Sequence, residues 1–500
     1  MINNLLKNMS FSLASKAWRI ILPIFITPYI IKHLGLDAYG IMSILTVFAG
    51  YFALSDLGLT GALEKYVAEF KAKGQLKKIN DVVQVGMFYY FIISIIGGLL
   101  LYTGFYILLN EFVTIPPELN HQTKISYLIV SITFSLSIFV AFFSSIIRGY
   151  QRFDLIAYRT MIVYTISVVL TVLVLHFGYG LIAVVSITLF TSFINVTLFY
   201  YLVKKYCRGI SIQPRWNKTT FEYLFHFSKW KFLAGFCALI SKNSARIITG
   251  ILLNVRMVSY VSVIQLLAQS VSRRLGAEIV KVLYPFMTEI VASRSNKIQK
   301  QVYLRSAKWL FSLLSIPTVF LVAYAEVILQ IWLGNDFSNN GTFLLKSLAM
   351  LYLFSSVLWL STNVFEAAGN SFFPNICATT IGFSQLFFYF IFIPNFGING
   401  IVFSHLLTLI TIGVYEQHKT LMLVGSNWNE YLKKSFLLPL IASTINYNLL
   451  IIIESKINIS LPTLITLAII SFIIHIIIYY FIGVFEKEEK KIILKFFNKF

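Results

Sequence analysis

The sequence predicts an all-α polytopic membrane protein, and three observations carry that prediction. Of the 500 residues, 58% are hydrophobic and only 12% charged, a balance that no water-soluble domain of this length keeps. Apolar runs of about 20 residues recur along the whole chain, the length a helix needs to cross a hydrocarbon layer about 30 Å thick. The runs lack the period-2 alternation of barrel strands, so they are helices whose backbone hydrogen bonds close internally.

About fourteen spans are expected, near residues 14 to 32, 41 to 62, 84 to 109, 125 to 147, 160 to 176, 181 to 203, 232 to 253, 258 to 281, 309 to 333, 342 to 365, 373 to 393, 400 to 417, 436 to 454 and 462 to 483. Charge marks most of their ends. Lys32 closes the first, the basic run from Lys71 to Lys78 separates the second from the third, and Arg148 closes the fourth. Arg159 precedes the fifth, while Lys204 and Lys205 close the sixth. Lys308 precedes the ninth, Lys433 and Lys434 precede the thirteenth, and Lys487 opens a basic tail after the fourteenth.

Those charges also orient the chain. The connections after even-numbered spans, with the two termini, hold about 29 of the 41 Lys and Arg, against about four (Lys32, Lys124, Arg256 and Lys456) after odd-numbered spans. Both termini are therefore expected in the cytoplasm. The net charge of +21 is then mostly topology, with attraction to anionic membrane lipid, and no nucleic-acid partner is expected. Lys16, Trp18 and Arg19 interrupt the first apolar run and no small-residue cleavage site follows, so this span is expected to stay as its own anchor. Cys207, Cys237 and Cys377 are scattered without CxxC or His spacing, and read as packing residues, with no metal, cofactor or disulfide implied.

Shifting the chain by about 220 residues lays Ser145 to Phe153 on Val364 to Phe372, and Phe177-Gly178-Tyr179-Gly180-Leu181 on Phe396-Gly397-Ile398-Asn399-Gly400-Ile401 with one inserted residue. The same shift carries span 1 onto span 7 and span 6 onto span 12. Six helices per unit is an even number, so the units share one orientation and are related by an axis along the membrane normal. The expected organisation is a six-helix lobe over 1–203, a cytoplasmic linker over 204–231, a second six-helix lobe over 232–417, and two added helices with a basic tail over 418–500.

Several cations stand inside apolar runs. Span 1 carries Lys16 and Arg19, with Pro23 on the same face. Span 7 carries Lys242 and Arg246 at i, i+4 with no acid in its own run, and span 8 carries Arg273 and Arg274, then Glu278, Lys281 and Pro285. Each Lys or Arg at a span centre opposes insertion by about 2.5 to 3.5 kcal/mol, so such residues face water, a counter-ion or a substrate rather than lipid. Lys16 and Arg19 lie close enough to the cytoplasm to snorkel, and Arg274 with Glu278 also reads as a structural ion pair. Asp56, the deepest acid of the first half, reads as a charge partner or as a coupling residue. Glu326, Glu366 and His405 lie nearer span ends.

There is no Walker loop, HExxH, GxSxG or pair of catalytic carboxylates on an aqueous loop, so no enzyme is expected. The outer connections are short, the longest running from Asn110 to Lys124, which leaves no room for a catalytic domain there.

At Gly35-Leu36-Asp37-Ala38-Tyr39-Gly40, Ser55-Asp56-Leu57-Gly58-Leu59, Lys65-Tyr66-Val67-Ala68-Glu69 and Arg148-Gly149-Tyr150-Gln151-Arg152-Phe153, the chain resembles the polysaccharide transport family. These are the Wzx-type flippases of O-antigen and exopolysaccharide repeat units, in the superfamily of lipid II flippases and multidrug exporters. The resemblance implies paired six-helix lobes around a cationic cavity, to which Arg19, Lys242, Arg246, Arg273 and Arg274 would contribute, with Asp56 and Glu278 as coupling or charge partners. It further implies an undecaprenyl-pyrophosphate-linked glycan as substrate, a bacterial inner membrane as location, and polymerase and chain-length proteins as pathway partners. Spans 13 and 14 resemble the pair that forms a lipid-tail groove in lipid II flippases. A cation-coupled drug exporter is the nearest alternative, although it would want acids where this chain has bases. A membrane-embedded polysaccharide polymerase is the alternative of another class.

Overall fold

The computed structural model describes residues 18, 21–52, 59–222, 224, 243–277, 279–280, 296–370, 372–457 and 459–485. Among them every regular element is a helix. Their contacts group into two compact units, Met1–Ser262 and Val263–Phe500.

In the first unit, α1 (Ile21–Leu34) and α2 (Leu36–Phe52) meet at Gly35, and α3 (Leu59–Ala72) continues the second expected span. The long helices α4 (Leu76–Ile107) and α5 (Pro117–Gly149) follow, with a π turn over Leu108–Phe112 ending the first of them. At 33 residues α5 is roughly 50 Å long, so it extends past the hydrocarbon layer, and the expected 125 to 147 is its apolar middle. Next come α6 (Phe153–His176), α7 (Leu181–Tyr206), α8 (243–252) and α9 (Val255–Ala268), within which the division between the units falls.

Without a hydrophobic drive between helices in lipid, packing relies on small residues and side-chain hydrogen bonds. The contact of α4 with α5 shows both. The Ser135 hydroxyl of α5 donates to the Ser94 carbonyl of α4 at 2.7 Å, and it lies against Gly98, where a Cβ would come within 2.4 Å of its oxygen. Beyond the contact, Phe91, Ile95 and Leu99 of α4 are exposed, as a lipid-facing stripe must be.

In the second unit, α9 continues through a π turn (Gln269–Arg274) to residue 277, and α10 spans Asn296–Ala323. The expected span of 309 to 333 is divided: the backbone turns at Tyr324, and Ala325–Leu333 forms a separate short helix, α11. Then follow α12 (Asn335–Ser355), α13 (Leu358–Ala367) and α14 (Phe372–Phe396). Next are α15 (Gly400–Thr408) and α16 (Val414–Leu423), joined by a π turn, then α17 (Trp428–Tyr431), α18 (Leu438–Glu454) and α19 (Leu461–Ile482). Nine helical runs among the described residues are long and apolar enough to cross a membrane. The Phe372–Leu423 run is broken by the short turn Gly397–Asn399 into two crossings, and α1 and α2 add shorter apolar helices.

Helix α10 is the core of this unit, with 72% of its apolar window buried against 22% for α19. Its serine face receives the last two helices. Tyr479 of α19 shares a hydrogen bond with the Ser315 hydroxyl at 2.6 Å and donates to the Ser312 carbonyl at 3.0 Å. Lys308 donates to the Val484 carbonyl at 3.0 Å, and the Tyr324 hydroxyl donates to the Leu450 carbonyl of α18 at 3.1 Å. Between α18 and α19, the Asn446 amide reaches buried His475 at 2.8 Å and donates to the Ser471 hydroxyl at 3.2 Å.

Candidate functional site

Among the candidate cavity residues Arg246 is the one whose side chain is described. It is half-buried on α8, whose Ser244, Ala245, Ile248 and Thr249 are buried. Gly250 of α8 lies against Ile44 of α2, where a Cβ would meet the Ile44 side chain at 2.9 Å. Arg246 lies near enough to Tyr39, just beyond Gly35, for its charge to act on that hydroxyl. On α1, the Thr27 hydroxyl donates back to the Pro23 carbonyl at 2.6 Å, and so satisfies that carbonyl, which lies four residues before it. Arg246 thus lies within the electrostatic reach of the Gly35 to Gly40 motif, inside its own unit.

Arg273 and Arg274 are described in backbone only, as the last two residues of the π turn in α9. A π turn adds a residue to the helical ladder, so everything beyond it is rotated by about 100° from the face an unbroken helix would give it. The faces expected for span 8 from a continuous 3.6-residue period therefore do not carry through position 274. Packing pins the turn: Ser272 and Thr318 of α10 share a buried hydrogen bond at 3.0 Å, and Gly276 lies against Trp359 and Leu314. Arg19, Asp56, Lys242 and Glu278 lie outside the described residues, as do Lys16, Lys281 and Pro285.

The motifs at Lys65 and Arg148 come together and build a corner. Gly149 lies against Val67, Arg148 approaches Glu64 at 3.7 Å, and Lys71 donates to the Tyr150 carbonyl at 3.1 Å. Gln151 takes a left-handed φ of 61°, and Arg152 forks onto both Asp154 oxygens at 2.9 Å. Cys207, which is buried, is beside them; burial pushes its thiol up to about 11, against the pull of Lys71 and Arg152. Asn80 clips the following chain to α4, donating to the Gly209 carbonyl at 3.1 Å and accepting from the Ser211 amide at 2.9 Å.

Other polar positions find structural partners. His405 pairs with Gln385 at 3.0 Å and Tyr389 at 3.1 Å. Glu366 is exposed on α13. The sequence reading missed Glu416 and Gln417, both buried; Gln417 donates to the Tyr303 hydroxyl at 2.7 Å and accepts from Ser361 at 3.1 Å. The signal was an adjacent acid and amide at the end of an apolar span.

Helices that cross a membrane many times, with cations set among them and apolar faces turned outward, define a multi-pass helical membrane protein. The chain belongs to the polysaccharide biosynthesis protein family, whose model matches residues 34–340. It is 19% identical over 407 residues to a Shigella flexneri protein provisionally named an O-antigen transporter, covering 80% of this chain and 94% of that one. It is 24% identical over 375 residues to the uncharacterized membrane protein EpsK of Bacillus subtilis, covering 71% and 72%. Its fold is similar to that of the lipid II flippase MurJ in an inward closed conformation, with a TM-score of 0.72, 14% identity, and coverage of 96% of this chain and 98% of that one. An inward-facing multidrug resistance transporter of the MATE family aligns with a TM-score of 0.66 at 13% identity, covering 83% and 96%.

Proposed function

We propose that this protein moves an undecaprenyl-pyrophosphate-linked oligosaccharide from the cytoplasmic to the outer leaflet of a bacterial inner membrane, by alternating access between two six-helix lobes. The lobes would be 1–203 and 232–417, joined by 204–231, with 418–500 as the added pair and tail, and both termini cytoplasmic. The observation that carries the reading is Arg246: a half-buried guanidinium on an apolar helix, close enough to Tyr39 for its charge to act on that hydroxyl.

A glycan head group cannot shed its water to cross the hydrocarbon layer, so it needs a wet, charged path while its lipid tail stays in the bilayer. Arg19, Arg246, Arg273 and Arg274 would grip the pyrophosphate with planar forks and Lys242 would act as a point charge. Asp56 and Glu278 would balance those charges when the site is empty. Moving about two negative charges outward from an inside-negative membrane at about 100 mV contributes roughly 4 to 5 kcal/mol, which favours export. The polymerase and chain-length proteins of the same pathway would receive the product.

The test is substitution of Lys242, Arg246 and Arg273 by alanine, one at a time, with surface glycan and membrane abundance both measured. Each change eases insertion, so normal abundance with lost glycan is expected. Full export by all three variants would sink the anion site.

A further inference from the structure

Two turns that are far apart in sequence meet in the first unit. Arg256, at the start of α9, donates through Nη2 to the Asp37 carboxylate of α2 at 3.1 Å. Three residues on, the Ser259 hydroxyl donates to the Leu36 carbonyl at 2.5 Å. Gly40 faces the Val255 carbonyl so closely that any Cβ there would overlap the oxygen.

The register that lays Ser145 on Val364 is 219 residues, and Asp37 and Arg256 are also 219 apart. The same shift carries Leu36 onto Val255 and Gly40 onto Ser259. The contacts therefore exchange with one another: Ser259 touches the carbonyl of Leu36, and Gly40, its equivalent, touches the carbonyl of Val255, the equivalent of Leu36. The remaining pair, Asp37 with Arg256, maps onto itself. Contacts of this kind, in which i meets j and j meets i, arise only where a two-fold axis passes between the participants.

We infer that the Asp37–Arg256 ion pair, with the Ser259–Leu36 hydrogen bond and the Gly40–Val255 contact, is a latch on the internal two-fold axis that holds the outer ends of the duplicated helices closed. This rests on the proposed orientation and on alternating access. The three elements divide the work. The glycine sets the approach, because a side chain at position 40 would keep the turns apart. The serine adds a hydrogen bond. The charges make the closed register specific, since equivalent positions of a duplication would otherwise carry like residues, and like charges on the axis would repel.

The latch is also weak enough to release. The side chain of Arg256 is 56% exposed and that of Asp37 29%, and a cleft of about 380 Å³, lined by Leu34, Asp37, Pro116, Glu118 and Arg256, opens beside them. An ion pair in contact with water shifts an equilibrium by only about two- to fivefold, so it biases the closed state without locking it.

The test reads outer opening directly. Ala38 is 3% exposed beside Asp37, so Ala38→Cys, in a chain whose Cys207, Cys237 and Cys377 are alanine, reports access from outside to a membrane-impermeant maleimide on intact cells. Asp37→Asn and Arg256→Gln should each speed labelling by about two- to fivefold, and the single reversals Asp37→Arg and Arg256→Asp by more. The swap of Asp37→Arg with Arg256→Asp should return the rate to near that of the parent. Val258→Cys, buried on the facing turn, repeats the measurement should the first probe fail to accumulate. Equal rates across the set, or a swap no slower than the single reversals, would overturn the latch. The readout needs no glycan, so an ordered labelling series in a protein that exports none would spare the latch and count against the proposed substrate.

Discussion

Arg246 can be tested for geometry as well as for charge. A guanidinium offers phosphate a planar fork, whereas an ammonium is a compact charge, so Arg246→Lys should keep partial export and Arg246→Gln little. If Arg246 served only as a structural partner of Glu278, the double change Arg246→Gln with Glu278→Gln should restore export, since both buried charges leave together. No recovery of surface glycan is the expected result. Cys207 makes a second prediction at this scale. Its thiol is raised to about 11 by burial, so at neutral pH it should resist maleimide in the folded protein and react once unfolded. Because the folded thiol holds its proton more tightly than the unfolded one at about 8.5, this group's contribution to stability is complete below that pH and is lost as pH rises toward 11. Mass spectrometry of labelled protein across that pH range would check it, and labelling at pH 7 without unfolding would contradict the burial.

At the scale of the helix, the α4–α5 contact and the docking of α19 on α10 make opposite demands. The first depends on the absence of a side chain. Gly98→Leu must push Ser135 away from the Ser94 carbonyl, and overpacking of this kind costs about 1 to 3 kcal/mol, visible as a lower unfolding temperature in detergent. The second depends on a hydroxyl. Tyr479→Phe keeps the ring but loses the bonds to Ser315 and Ser312, for about 0.5 to 1.5 kcal/mol. A change as large as that of Gly98→Leu would mean that the ring, not the hydroxyl, had been disturbed. The corner at Gly149 shows why short motifs are ambiguous when read alone. Lys71, Gly149 and Arg152 hold helix ends together, and the residues that carry the family likeness there are structural.

For the whole molecule, reporter fusions should place residues 204 to 231 in the cytoplasm and residues 110 to 124 outside. The reverse would overturn both the orientation and the direction of transport. Truncation after α16 tests whether the last helices are an accessory or part of the fold. It would strip one partner each from Lys308 and Ser315 of α10 and from Tyr324 just beyond it, uncovering buried polar groups. The truncated chain should therefore accumulate poorly even before export is measured; normal abundance would show that α10 is covered in some other way.

Composition and run length by themselves determined that the chain is helical and crosses a membrane many times, and they singled out Arg246 as a cation inside an apolar run. These are properties of about 20 consecutive residues and the bilayer, which acts on each segment whatever its neighbours are. The asymmetry of Lys and Arg likewise yields an expected orientation without reference to any contact. Tertiary structure alone decided that Asp37, read from sequence only as part of a motif, meets Arg256, that the helical ladder slips by a residue at Arg273 and Arg274, and that Tyr479 reaches α10. Each depends on which helix lies beside which. In lipid, apolar faces are nearly interchangeable, so neighbours are chosen by small residues and a few hydrogen bonds whose partners stand tens to hundreds of positions away.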